Sequence, residues 1–270
     1  VSSIDQIGWF PGHMAQSIRL MQERLALVDV IIEVVDARLP TISANPLLDK
    51  LIGERPRLVL LGREDLADPQ LTGKWVAYEQ RLGRTALAIN GKQQGSVRNA
   101  LPLLDELTQR RKTARAMVVG IPNTGKSTVI NGLAKRLAAK AEDKAGVTRS
   151  LSWFRVSPTL EIMDTPGIMA PKIETHAAQW QLALCNALPR ERYDAQDVVA
   201  EFSAWAVEHR RTVPDLATFA RARGFLRRGN AVDLHTAAAA YVKDFNLAKF
   251  GRITFETPPA VAVPAAQAAS

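Results

Sequence analysis

One cysteine, Cys185, is present in 270 residues, and a lone thiol excludes an internal disulfide framework. Nothing stands beside it at metal-ligand spacing, so neither a zinc site nor a redox centre is expected, and Cys185 reads as a small residue on a helix face. No apolar run approaches the roughly 18 residues of a membrane span, and the N-terminus lacks the charged-then-apolar layout of a secretory signal. A soluble, cytoplasmic protein with no membrane partner is the expectation. Negative charge is also in short supply: 27 Asp and Glu face 35 Lys and Arg, a formal net charge of +8. The excess gathers at Arg110-Arg111-Lys112, Arg210-Arg211, and Arg221, Arg223, Arg227 and Arg228. Such clusters attract polyanions through counterion release. RNA is the partner they suggest together and DNA is not expected, although each cluster taken singly reads rather as a solvated face.

What is there in quantity is apolar sequence, 47%, enough for one α/β domain with a smaller partner. The runs Val28 to Ala37, Arg57 to Gly62, "TALAI", "RAMVVG" and "LEIMDTPG" are short, aliphatic and closed by polar residues or Gly, as buried parallel strands are. Helical stretches separate them, among them "PQLTGKWVAYEQRLG" and "SVRNALPLLDELTQRRK". The alternation predicts a doubly wound, mostly parallel sheet over residues 1–170. From 171 to 255 only amphipathic helices are expected, around Trp180 to Leu188, Gln196 to Arg210, Pro214 to Gly224 and Asp233 to Asn246. Residues 256–270, rich in Pro and Ala, read as a disordered tail. No internal repeat is evident.

The chemistry is announced by "GIPNTGKSTVIN", Gly120 to Asn131. Gly120, Gly125, Lys126 and Ser127 match the phosphate-cradling P-loop, between an apolar run and a helix as that pattern requires. Glycines turn backbone N–H groups toward phosphates, Lys126 adds a point charge on the transferring group, and the Ser127 hydroxyl reaches a Mg²⁺ ion. Pro122, Asn123, Thr124 and Thr128 complete the nucleotide-binding stretch. Downstream, "DTPG" places Asp164 as the second carboxylate on the Mg²⁺ side and Gly167 where its N–H meets a γ-phosphate. Between them Thr148, in "AGVTRS", is the residue expected to close over Mg²⁺.

These three segments resemble the first three motifs of GTPases related to the Era and Obg groups. Such proteins read guanine with Asn-Lys-x-Asp, which is missing after residue 168. It has a counterpart upstream: "RLVLLGREDLAD" puts Asp65 in the place of the final Asp, and "LAINGK", with Asn90 and Gly91, is similar to the fifth motif. The order fourth, fifth, first, second, third is tolerable because all these loops lie at one edge of a parallel sheet. With "GWFPGHMAQS" and "VDARLPTISANP", this order closely resembles the circularly permuted GTPases of the YlqF/RbgA type and their mitochondrial relatives, over residues 5 to 250. The resemblance implies GTP and GDP as ligands with Mg²⁺, and assembly of the large ribosomal subunit through contact of the helical domain with ribosomal RNA. Slow intrinsic hydrolysis, stimulated by the ribosomal particle, is expected because the water-orienting group is remote in sequence.

Two departures from the pattern matter. Gly62 and Arg63 stand where the family has Asn and Lys. Arg63 is expected to stack along the base in place of lysine, and Asp65 retains a charge-assisted bond to guanine worth about 1.5 to 3 kcal/mol. Ile168 follows DTPG where many switch GTPases carry a water-orienting Gln. The resemblance points to His13 of "PGHM" as the catalytic substitute, and to Asn123 as a side chain that helps hold K⁺. Arg38 of "VDARLP" reads equally as a carboxylate partner at the domain surface or as a functional residue. Two alternatives stay open on sequence: a nucleotide-dependent RNA-binding module with negligible hydrolysis, and an ATP-using P-loop enzyme.

Overall fold

The computed structural model describes residues 19, 21–109, 111–134, 153–165, 173 and 175–260. Among the described residues six strands form one sheet: β1 Val30–Asp36, β2 Arg57–Gly62, β3 Thr85–Ala88, β4 Ala114–Val119, β5 Trp153–Ser157 and β6 Leu160–Asp164, in the order β3-β2-β1-β4-β6-β5. All neighbours pair in parallel except β5, which runs antiparallel to β6 at the edge. The sheet is central because its strands alternate two apolar sets. Val30, Ile32 and Val34 of β1 pack with Leu58, Leu60, Val118 and the helices Gln94–Arg98, Ala100–Leu107 and Lys126–Ala134. Ile31 faces the other way with Met117 and Met163, and Val35 joins Leu61 and Trp75 there.

The parallel register fixes where chemistry can occur. Asp36 lies opposite Gly62, Leu61 opposite Ala88, and Val118 opposite Asp164. The loops after β1, β2, β3, β4 and β6 therefore leave the sheet at one edge, where ligands bind in open α/β sheets.

Beyond residue 173 the described chain is helical, with His176–Leu184, Ala195–Glu208, Leu216–Ala222 and Leu234–Phe245. Each starts at a side-chain cap: Thr175, Asp194, Asp215 and Asp233 accept from backbone N–H groups of their first turns. Their core centres on Phe202, Tyr241 and Phe245 and also takes in Leu39 and Ile121 from the sheet domain. The helical domain is thus seated on the same edge from which the functional loops emerge.

The differences from the sequence reading are local. The stretch 96–112 forms two short helices separated at Asn99, because Pro102 has no N–H to donate to the carbonyl of residue 98. The first C-terminal helix begins at His176, not Trp180, since Thr175 caps it. The edge strand β5 and the helix Pro46–Ile52 are too short to carry a periodic signal. Glu256, placed at the head of the tail, is held: its carboxylate accepts from the N–H groups of Thr41 (2.8 Å) and Ile42 (3.3 Å), and its carbonyl from Trp75 Nε1 (3.0 Å).

Candidate functional site

The P-loop follows β4. Gly120 takes a φ of 148°, and a Cβ there would lie 2.4 Å from the carbonyl oxygen of Val34; only glycine lets the loop pass this close to β1. Thr124 Oγ1 and Lys126 Nζ both donate to the Ile121 carbonyl, at 3.0 and 2.9 Å, drawing the loop into a ring. Lys126 is buried, and burial lowers its ammonium pKa against the opposing pull of Asp164. Asp164 ends β6 with Oδ1 buried and without a hydrogen-bond partner. Beside it the Thr165 hydroxyl bonds the Val118 carbonyl at 2.5 Å, tying β6 to β4.

The loops after β2 and β3, where base recognition is expected, come together beside the P-loop. Arg63 is left-handed, with φ 58°, and starts the 3₁₀ turn Glu64–Leu66 that carries Asp65. The Glu64 N–H donates to the Ile89 carbonyl, and Lys92 Nζ lies 2.8 Å from Asp65 Oδ2, so the two loops are stitched together. Gly91 lies flat on the P-loop helix: a Cβ there would meet Thr128 Cγ2 at 2.8 Å.

Two cavities adjoin along this edge. The first, about 320 Å³, is lined by Gly62, Arg63, Asp65, Asn90, Gly91, Thr124, Gly125 and Thr128 among others. The second, about 610 Å³, is lined by Arg63, Asn123, Gly125, Lys126, Ser127 and Thr128. Arg63, Gly125, Thr128 and Asn186 belong to both, so the two form one trough with Asp65 at one end and Lys126 at the other. Pro122 is half-buried in the same loop. His13, Thr148 and Gly167 lie outside the described residues.

Arg63 lines both cavities, and its guanidinium donates to Asp36 Oδ2 (3.3 Å), to the Cys185 carbonyl (2.9 Å) and to the Asn123 carbonyl. A planar fork of five donors suits a junction where one carboxylate and two carbonyl oxygens converge. The side chain consequently ties the base-reading loop to the P-loop and to the helical domain. Next to it, a Cβ on Gly62 would sit 3.3 Å from the Thr124 carbonyl oxygen and 3.4 Å from that of Val35.

Arg38 does pair with a carboxylate, but in the interior. It is fully buried, with Nε 2.9 Å from Asp36 Oδ1 and Nη2 2.7 Å from Oδ2. It also donates to Asn246 Oδ1 (2.9 Å) and the Cys185 carbonyl (3.1 Å). Burial alone would raise the Asp36 carboxyl pKa; the Arg38 charge and hydrogen bonds, with Arg63, outweigh it and hold it below the ordinary range. Burial pushes the Cys185 thiol up to about 12, which removes it as a nucleophile.

Sequence reasoning missed one wall of the trough. Asn186 and Asn246 line the first cavity, and Asn186, Leu188, Pro189, Arg190 and Glu191 the second, all from the helical domain. No motif marks them, since they reach the site only through packing between segments far apart in the chain.

A phosphate loop opening a helix, a carboxylate at the end of the neighbouring parallel strand, and a base pocket built by earlier strands define a P-loop GTPase with circularly permuted motif order. The comparisons agree. A family model described as "50S ribosome-binding GTPase" matches residues 115–211. "Ribosome biogenesis GTPase A" of Bacillus cereus is 37% identical over 278 residues, covering 93% of this chain and 94% of that protein. The Thermotoga maritima protein of the same name is 32% identical, with 93% and 95% covered. The crystal structure of GNP-bound YlqF from T. maritima superposes with a TM-score of 0.70 at 27% identity, over 91% of this chain and 100% of that one. The chain belongs to the ribosome biogenesis GTPase A family; it binds guanine nucleotide and is a GTPase.

Proposed function

We propose that this chain is an assembly factor for the large ribosomal subunit, acting in the bacterial cytoplasm, whose GTP-dependent switch governs contact of its helical domain with ribosomal RNA. The observation that carries this reading is the continuous trough from Asp65 to Lys126, walled on one side by the helical domain. A nucleotide lying along it touches both domains at once, so loss of the γ-phosphate is felt by the RNA-facing part of the molecule. The name of the relatives supplies the ribosome. The exposed arginines of the helical domain supply an electrostatic face: Arg210, Arg221, Arg223, Arg227 and Arg228 are open to solvent, Arg223 and Arg227 also pairing with Asp244 and Asp233 at 3.0 Å each.

In this reading guanine takes the first cavity, its N1 and N2 protons directed at Asp65, and the phosphates take the second. The Asn123 side chain, on a residue with φ 61°, is the proposed aid to a K⁺ ion near the phosphates. A Mg²⁺ ion fits the donors present. Asp164 Oδ1 is buried and unpartnered, and the Ser127 hydroxyl lines the phosphate cavity; both are hard oxygen donors. Among the described residues no three His, Cys, Asp or Glu side chains gather as a metal cage, which accords with an ion held chiefly by nucleotide oxygens and water. When bound, it neutralises charge on the β- and γ-phosphates. Lys126 serves the same end, and His13 is the proposed group that orients the attacking water.

Co-sedimentation of the full chain with purified large-subunit particles tests the reading. Retention with a non-hydrolysable GTP analogue and release with GDP is the expected result. Equal behaviour under both nucleotides, or binding to small-subunit particles alone, overturns it.

A further inference from the structure

Asn186 ends the first helix of the helical domain in a left-handed conformation, φ 58°. Its position is closely held. Its N–H donates to the Ala183 carbonyl (3.0 Å) and that of Ala187 to the Leu182 carbonyl (2.8 Å), while the preceding Cys185 carbonyl receives both Arg38 and Arg63. The backbone at this point is therefore fixed against the sheet domain. Asn186 lines the base cavity and the phosphate cavity alike, and its amide oxygen Oδ1 is buried with no hydrogen-bond partner. Buried polar atoms in native proteins are nearly always paired, and an orphan at a binding site calls for an explanation.

The chemistry of a nucleotide supplies one. Between a base and its phosphates stands the ribose, whose free polar groups are hydroxyls. A hydroxyl both donates and accepts, so it pairs with the Asn186 amide in either orientation. We propose that Asn186 reads the sugar: its side chain bonds a ribose hydroxyl of the guanine nucleotide, and the helical domain thereby discriminates ribonucleotides from sugars lacking that group. This rests on the placement of the nucleotide along the trough given above. Left-handed geometry is met by glycine and asparagine alike; what it leaves unexplained is the buried, unpartnered amide oxygen at the cavity wall.

The experiment uses that equivalence. Asn186→Gly keeps the backbone conformation and deletes the amide. Affinities of the full chain and of N186G are measured by calorimetry for GTP and for 2′,3′-dideoxy-GTP. The unmutated protein should bind GTP roughly three- to tenfold more tightly than the dideoxy nucleotide, as one neutral hydrogen bond allows. In N186G this ratio should fall toward one through weaker GTP binding, with dideoxy-GTP affinity and preference over ATP unchanged. An unchanged ratio in N186G, or equal weakening for both nucleotides, overturns the sugar assignment while leaving the nucleotide site standing. Failure of the unmutated chain to bind either nucleotide removes the site and this assignment together.

Discussion

Arg38 and Asn246 stand 208 positions apart in the chain and share a hydrogen bond of 2.9 Å at the seam between the sheet and the helical domain. The same guanidinium grips Asp36 with two nitrogens, and Asn246 in turn donates to the Leu184 and Val242 carbonyls at 2.7 and 2.8 Å. A single buried cation thus joins the end of β1 to two helices of the other domain. Removing one partner of a buried pair leaves an uncompensated charge at a cost of about 3 to 5 kcal/mol. Arg38→Ala should lower the stability measured in urea by that order. A change below about 0.5 kcal/mol, the scale of an ordinary surface substitution, would show that the seam is held by other contacts.

Glu256 gives the seam a pH dependence. Desolvation by burial, only partly offset by hydrogen bonds from Ile42 and Thr41, raises its carboxyl pKa to about 7. A carboxyl whose folded pKa lies above its unfolded value keeps its proton in the native state over the interval between them, so the native state binds more protons there. Stability contributed by this group is therefore present at acid pH and declines as the pH rises from the ordinary carboxyl range through about 7. Thermal melts across that interval should show a steeper decline for the unmutated chain than for Glu256→Gln. Parallel curves would contradict the assignment.

The proposed water-orienting role of His13 rests on the resemblance of its "PGHM" segment, Ile168 after DTPG having no polar group to take that part. General acid–base or water-positioning groups typically contribute 10²- to 10⁴-fold. His13→Ala should bind GTP as before and lose roughly that factor in single-turnover phosphate release, measured with large-subunit particles present. An unchanged rate excludes His13 from the mechanism.

The parts of this molecule legible in the sequence are those whose physics is local. The P-loop is readable because its glycines and Lys126 stand at fixed spacing between a strand and the helix that Lys126 opens. Asp65 is readable because it follows a buried strand by a few residues. Arg63 is not: its identity suggests a stacking cation, yet its partners Asp36, Asn123 and Cys185 lie up to 122 positions away and are assembled only by folding. Asn186 and Asn246 are hidden for the same reason. The short edge strand β5 and the binding of Glu256 to Thr41 depend on tertiary pairing, to which periodicity is blind.

The central claim is that Asp65 and Lys126 grip opposite ends of one guanine nucleotide. It is tested most directly by titrating GTP and ATP against the unmutated chain and Asp65→Ala. A charge-assisted bond of about 1.5 to 3 kcal/mol corresponds to roughly a ten- to 150-fold effect. GTP should bind more tightly than ATP by an amount of that order, and D65A should lose the difference through weaker GTP binding alone. Equal affinity of the unmutated chain for both nucleotides, or a preference for GTP that survives in D65A, would contradict it.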